Sequence, residues 1–209
     1  MSSAILKISR PTKLELLRLR KRLSLSRRYY NMLKDRVTYL IKVYRDDLRE
    51  LIQTRKKLHR LVGKAIETYY KSMSVNGVRQ LEYLAPLASP GLSLRATYRN
   101  VGGIWVPSVS IEERIRPTPI LPLDLAELQK LREEIIVTMI RVGELEKELA
   151  LLSKEIGRLR KIVNTLEKIY IPRLEKTVRY LSMKFDELSR EETVRLLRVK
   201  RLVIERRAE

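Results

Sequence analysis

Cysteine is absent from the 209 residues, and His59 is the only histidine. That removes thiol nucleophiles, disulfides, and zinc sites built from Cys or His. Aromatic residues make up only 6%, with one Trp and one Phe, and glycine is held to 7 positions. Such a composition argues against a sheet-rich globule and for long helices of Leu, Arg, Glu and Lys. Asn and Gln are scarce beside the charged residues, a balance associated with thermophiles. No run of about 18 apolar residues occurs, so no membrane-spanning segment is expected. The opening "MSSAILKISRPTK" is too polar for a signal peptide, which leads us to expect an intracellular protein. Neither G-x-x-x-x-G-K-[ST] nor G-x-G-x-x-G is present, so nucleotide cradling is not expected.

Positive charge is abundant: the net charge is +20, from 45 Lys and Arg against 25 Asp and Glu. Nucleic acid is the reflex partner for such a balance, but an acidic protein cavity serves equally well. The charge is uneven. Residues 1–60 hold 18 Lys and Arg against 5 Asp and Glu, a local balance of +13. "RLRKRLSLSRR" (18–28) is its densest part, and Arg195, Arg198, Lys200, Arg201, Arg206 and Arg207 cluster near the other terminus.

Three regions follow from pattern. In 1–73, Tyr30, Leu33, Val37, Leu40 and Tyr44 step 3-4-3-4; Leu48 and Leu51 follow, then Leu58, Val62, Ile66, Tyr69 and Met73. Pro11-Thr12 suits a helix entry. Residues 74–122 hold six of the eight prolines and four of the seven glycines. There we expect a short helix near 75–85, a small β-hairpin turning at Gly102-Gly103, and an extended "RPTPILP". Pro107 makes its strand an edge strand.

In 123–209, Leu145, Leu149, Leu152, Ile156, Leu159, Val163, Leu166 and Tyr170 form a heptad seam. Past Pro172 the steps to Leu174 and Val178 are 4 and 4, before 3-4-3 resumes through Leu181, Phe185 and Leu188. The seam slips by one residue at the proline, which changes local winding. The fold class expected is all-α: a long antiparallel two-helix coiled coil with a small helix and β-hairpin insert between the helices. The implied shape is a rod with the insert at one end and both cationic termini at the other.

Candidate chemistry is sparse. Asp46-Asp47, Glu112-Glu113, Glu133-Glu134 and Glu191-Glu192 read as solvated charge on polar faces. His59, beside Leu58 and Leu61, reads as half-buried packing. One member of each pair Tyr29-Tyr30 and Tyr69-Tyr70 is expected in the seam. No catalytic residue, metal site or cofactor is expected. The cationic clusters suit either solvated flanks with ion pairs or a tip seated in an acidic socket.

Three stretches resemble the D subunit of the archaeal and vacuolar-type rotary ATPases. They are "RPTKLELLRLRKRLSLSRRYYNMLKDR" (10–36), "NVGGIWVP" (100–107) and "RLRKIVNTLEKIYIPRLEKTVRYL" (158–181). The matching positions are Pro11 and Thr12; Asn100, Gly103 and Pro107; and Asn164, Leu166, Glu167, Ile171 and Pro172. Tyr29-Tyr30 stands where the family often has a glycine, and Val194 and Leu197 replace an aromatic and a lysine. The resemblance implies a non-catalytic rotor shaft that transmits torque between an ATP-handling head and a membrane ion ring. Its implied partners are the catalytic A and non-catalytic B subunits, a small F subunit, and a funnel-shaped C subunit. It implies a peripheral place on the cytoplasmic side of the membrane. Arg18, Arg20, Lys21, Arg22, Arg27, Arg28, Arg195, Arg198 and Arg201 are the candidate head contacts. Pro172 is expected either to make the shaft asymmetric or to shape the seat of the small partner. The rival readings are a basic coiled-coil nucleic-acid binder and a generic coiled-coil scaffold.

Overall fold

The structure, a computed structural model, describes residues 12–84, 93–112 and 123–208. Pro11 and the "RPTPILP" segment fall outside them. The elements are α1 (Lys13–Asn76), α2 (Val78–Leu84), β1 (Leu94–Val101), β2 (Ile104–Ile111), α3 (Leu123–Thr165) and α4 (Ile171–Ala208). A π-helical turn, Leu166–Tyr170, joins α3 to α4. The all-α reading with a hairpin between two long helical segments holds. By packing, the chain forms two compact units, one from Met1–Val37 with Arg158–Glu209 and the other from Thr38–Gly157.

α1 starts where Thr12 Oγ1 accepts the Glu15 N–H at 3.2 Å, satisfying one of the donors a helix start leaves open. Gly77 ends it, at φ +75, donating its N–H to Met73 O at 3.1 Å; only a residue tolerant of positive φ closes a helix in this way. Between these ends an unbroken 3-4 repeat of covered residues runs Leu16, Leu19, Leu23, Ser26, Tyr30, Leu33, Val37, Leu40, Tyr44, Asp47, Leu51, Thr54, Leu58, Leu61, Ala65, Thr68, Ser72. The helix therefore keeps one face covered over its whole length. The seam differs from the hydropathic one after Tyr44. Leu48 and Ile66 are exposed, whereas Asp47, Thr54, Thr68 and Ser72 are covered. Tyr69 and Tyr70 are both exposed, in edge-to-face contact with centroids 6.0 Å apart, and neither fills the seam. Tyr30 is half-buried, as expected of the other pair. His59 is exposed, so the packing expected of it is absent; Leu61 takes the seam position.

The opposing seam runs Leu128, Leu131, Ile135, Thr138, Val142, Leu145, Leu149, Leu152, Ile156, Leu159, Val163, Leu166, Tyr170, again in 3-4 steps. In the Thr38–Gly157 unit, Leu51 packs with Val142, Leu145 and Leu149, flanked by Tyr44 and Leu58. Lys64, Thr68 and Lys71 lie beside Glu127 and Leu131, so the helices run antiparallel. In the other unit Leu16, Leu19, Leu174 and Leu181 form the core, with Leu23, Tyr170, Val178 and Phe185 against it. Side chains as enclosed as Leu145, Leu152 and Leu174 each contribute about 1.5–3 kcal/mol by leaving water.

The hairpin pairs Leu94 with Ile111 through to Val101 with Ile104. Its two-residue turn places Gly102 at φ +58 and Gly103 at φ +86, as the mirror-image turns of tight hairpins require. One correction concerns its place. The turn lies against Tyr39 and Leu40, where a Cβ on Gly102 would come within 2.8 Å of Leu40 Cδ2. Leu40 lies 36 residues before the end of α1, roughly 54 Å of helix. The hairpin is thus laid along the flank of the helix pair, not on the end where α1 stops.

Candidate functional site

The residues of the third resembling stretch build the π-turn. The Ile171 N–H reaches back to Leu166 O, five residues away. Widening by one residue is what a heptad seam needs when it must step 4-4, because the added residue would otherwise rotate Leu174 off the contact face. Pro172 has no N–H and would clash with the carbonyl four residues back in an ordinary α-turn. Spacing and proline therefore ask for the same local unwinding. Beyond it Leu174, Thr177 and Leu181 are buried again, Thr177 donating its hydroxyl to Arg173 O at 2.8 Å.

Around this turn the surface is concave, apolar and cationic at its rim. A groove of about 520 Å³ is lined by Arg22, Leu25, Ser26, Arg28, Tyr29, Met32, Leu166 and Tyr170. Leu25, Tyr29 and Met32 are 67%, 48% and 58% exposed. A second hollow, formed by Lys161, Ile162 and Thr165, shares Leu166 and Tyr170 with it. The Arg22 guanidinium stands over the Tyr170 ring at 5.7 Å, a favourable electrostatic contact with the ring face.

The candidate head-contact cations divide. Arg20 donates to Ser182 Oγ at 3.2 Å and Arg27 pairs with Glu175 at 2.7 Å, both tying α1 to α4. Arg18 pairs with Glu15 at 3.7 Å on the same helix turn. Lys21 and Arg28 are exposed. On α4, Arg195 pairs with Glu191 at 3.9 Å, and Arg198 and Arg201 are exposed. Arg195 lies 13 residues beyond Ser182, roughly 20 Å further along the helix. From Asp186 to Arg201 every residue of α4 is exposed, including Leu188, Val194, Leu196, Leu197 and Val199. Arg206 and Arg207 have side chains outside the described residues.

Of the hairpin motif, Asn100 Oδ1 accepts the Gly103 N–H at 2.8 Å and so locks the turn. Pro107 lies opposite Tyr98. Asn164 and Glu167 are exposed on the helix surface.

Sequence reasoning missed the polar seat of the hairpin. Arg99 of β1 hydrogen-bonds Glu148, whose side chain is 2% exposed. Glu144 accepts from the Val109 N–H and from Ser108 Oγ. Arg141 then links Glu144 at 3.2 Å with Glu50 at 2.8 Å. Burial raises the Glu148 carboxyl pKa, with the Asp47 charge adding to the rise, while Arg99 and Arg141 oppose it. Burial likewise raises Asp47, against the pull of Arg99. Asp47 is thus not the solvated charge its neighbour Asp46 is. The available signal was its place in the 3-4 repeat.

Among the described residues no group of three or more His, Asp or Glu side chains is arranged to hold a metal. No described helix is long and apolar enough to cross a membrane. The sequence profile of the ATP synthase D-subunit family matches residues 15–201. The chain belongs to that family. It is 31% identical over 210 residues to the D subunit of the V-type ATP synthase of Acetivibrio thermocellus, covering 97% of this chain and 94% of that one. It is 32% identical over 205 residues to the D subunit of the A-type ATP synthase of Thermococcus gammatolerans, covering 93% and 94%. With the corresponding A-type chain of Pyrococcus furiosus it shares 31% over 208 residues, covering 95% and 96%. The π-turn, the hairpin motif and the cationic stretch all fall inside the matched span.

Proposed function

We propose that this chain is the non-catalytic central shaft of an archaeal or vacuolar-type proton or sodium rotary ATPase. It transmits torque between the ATP-handling head of A and B subunits and the ion-translocating ring, as a peripheral subunit on the cytoplasmic side. The observation that carries this reading is the end of α4. Sixteen consecutive residues, Asp186 to Arg201, are exposed, and from Thr193 to Arg201, a stretch without acidic residues, they mix Val194, Leu196, Leu197 and Val199 with Arg195, Arg198, Lys200 and Arg201. A helix with that much uncovered apolar and cationic surface suits insertion into a partner's cavity. Arg18, Lys21, Arg22 and Arg28 carry the same sign on α1. The small F subunit and the funnel-shaped C subunit complete the expected partners.

In this mechanism the protein does no chemistry. Steric pushing on a stiff helix pair turns the shaft, and the exposed cations guide its register against acidic loops. Exposed charge pairs are each worth about 0–1 kcal/mol and are salt-screened, so the guidance is shared among many residues.

The test is purification from native cells at moderate salt after nuclease treatment. A stoichiometric assembly with two large ATPase subunits is expected. Recovery of the chain with nucleic acid alone would support a basic coiled-coil binder and sink the shaft.

A further inference from the structure

We propose that Asp47 and Glu148 hold one proton between them beneath the β-hairpin, and that this proton clasps the hairpin to the helix pair, so that its grip loosens as pH rises. The clasp is a property of this chain by itself and goes beyond the shaft reading.

The hairpin depends on its seat, because two strands alone are marginal in water. Its inner face sets Val106, fully buried, beside its cross-strand partner Arg99, and its turn rests on Tyr39 and Leu40. Around these contacts the seat is polar. Arg99 donates to Glu148 of α3, and Glu144, one turn earlier, accepts from the Val109 N–H and Ser108 Oγ.

That seat holds more acids than cations. Asp47 and Glu50 face it from α1, and Glu144 and Glu148 face it from α3; the cations are Arg99 of β1 and Arg141 of α3. Asp46, beside Asp47, is exposed and pairs with Arg49 at 3.6 Å. Arg141 is shared between Glu50 and Glu144, and Arg99 goes to Glu148. Asp47 is left over: its Oδ2 is buried without a hydrogen-bond partner among the described residues. An ionised oxygen in that position is costly, whereas a protonated carboxyl has no charge to desolvate. Two carboxyls in one dry site keep a proton between them, because neither tolerates the other's charge. Burial is the largest cause raising both, and the two guanidiniums oppose it. The pair titrates as a unit, with the proton on Asp47 while Glu148 keeps Arg99.

Lifting the hairpin takes Arg99 away and lets water reach Glu148, so the carboxyls return to ordinary behaviour and the proton leaves. The docked state thus binds one more proton than the lifted one. Docking is complete below the ordinary carboxylate range and weakens as pH rises through the raised one, by up to about tenfold per pH unit.

The experiment follows backbone amide exchange in the full chain from pH 4 to pH 7, each amide expressed as protection relative to its unfolded rate. Hairpin amides, Val109 above all, should be at least about tenfold less protected than those of Leu145 and Leu149 in the core, because the hairpin lifts without the helices opening. Their protection should fall by at least about tenfold over that pH range. Asp47→Asn carries the neutral form permanently and should flatten the fall; Glu148→Gln, the other way to remove one member of the pair, should flatten it too. Glu144→Ala removes an acceptor but not the shared proton, so it should lower protection at every pH and keep the slope. The proposal is overturned if hairpin amides exchange only together with the core, if their protection is flat in the wild type, or if Asp47→Asn or Glu148→Gln keeps the wild-type slope.

Discussion

Glu148 is the one carboxylate buried among the described residues, held under Arg99 of the hairpin and close to Asp47 of α1. Both carboxyls have folded pKa values raised above their ordinary 4.5 and 3.8. The folded state then binds more protons than the unfolded one. Their contribution to stability is complete below those ordinary values and is lost as pH rises through the raised ones. Thermal unfolding from pH 4 to pH 7 should therefore show the wild type losing ground to Glu148→Gln as pH rises. A constant gap between the two would mean that Glu148 is not protonated differently on folding. A second test at this scale is Gly102→Ala. Positive φ and a Cβ 2.8 Å from Leu40 Cδ2 should together cost about 1–3 kcal/mol, read as a lower denaturant midpoint. Amide exchange in 94–111 should rise with it.

The lengths of the elements and their antiparallel pairing were legible in the sequence because Leu and Ile repeat at 3-4 spacing through α3 and much of α1. The hairpin was legible from "NVGG", whose paired glycines mark a tight turn. The seam between Leu51 and Ser72 was not, because Thr54, Ala65, Thr68 and Ser72 carry it on small or polar side chains that a hydropathic reading passes over. The docking of the hairpin was not legible either. It depends on Asp47, Arg99, Glu144 and Glu148, brought together from three elements, and no local pattern pairs them. The slip at Pro172 could be read from spacing, but its form as a π-turn needed the backbone. From that form follows a paired prediction. Pro172→Ala leaves the extra residue in place, so the π-turn should persist and stability should move by about 1 kcal/mol or less. Deleting Pro172 restores 3-4 steps through Leu174, Val178 and Leu181, so α3 and α4 should merge into one α-helix. A structure of the deletion variant that retained the π-turn would show that spacing does not set it.

For the molecule as a whole, the cations are many and exposed, so no single one is expected to be decisive. Reversing one of Arg18, Lys21, Arg198 or Arg201 should change ATP-driven ion transport by less than about fivefold, since each exposed pair contributes at most about 1 kcal/mol. Reversing four together should uncouple hydrolysis from transport. The central claim is that this chain turns. The absence of cysteine allows one to be placed at Tyr98, 71% exposed on the hairpin, and a bead attached there while the head is fixed to a surface. On adding ATP, the bead should rotate continuously in one direction and stop when ATP is withdrawn. A bead that stays fixed while the same complexes hydrolyse ATP would contradict the account.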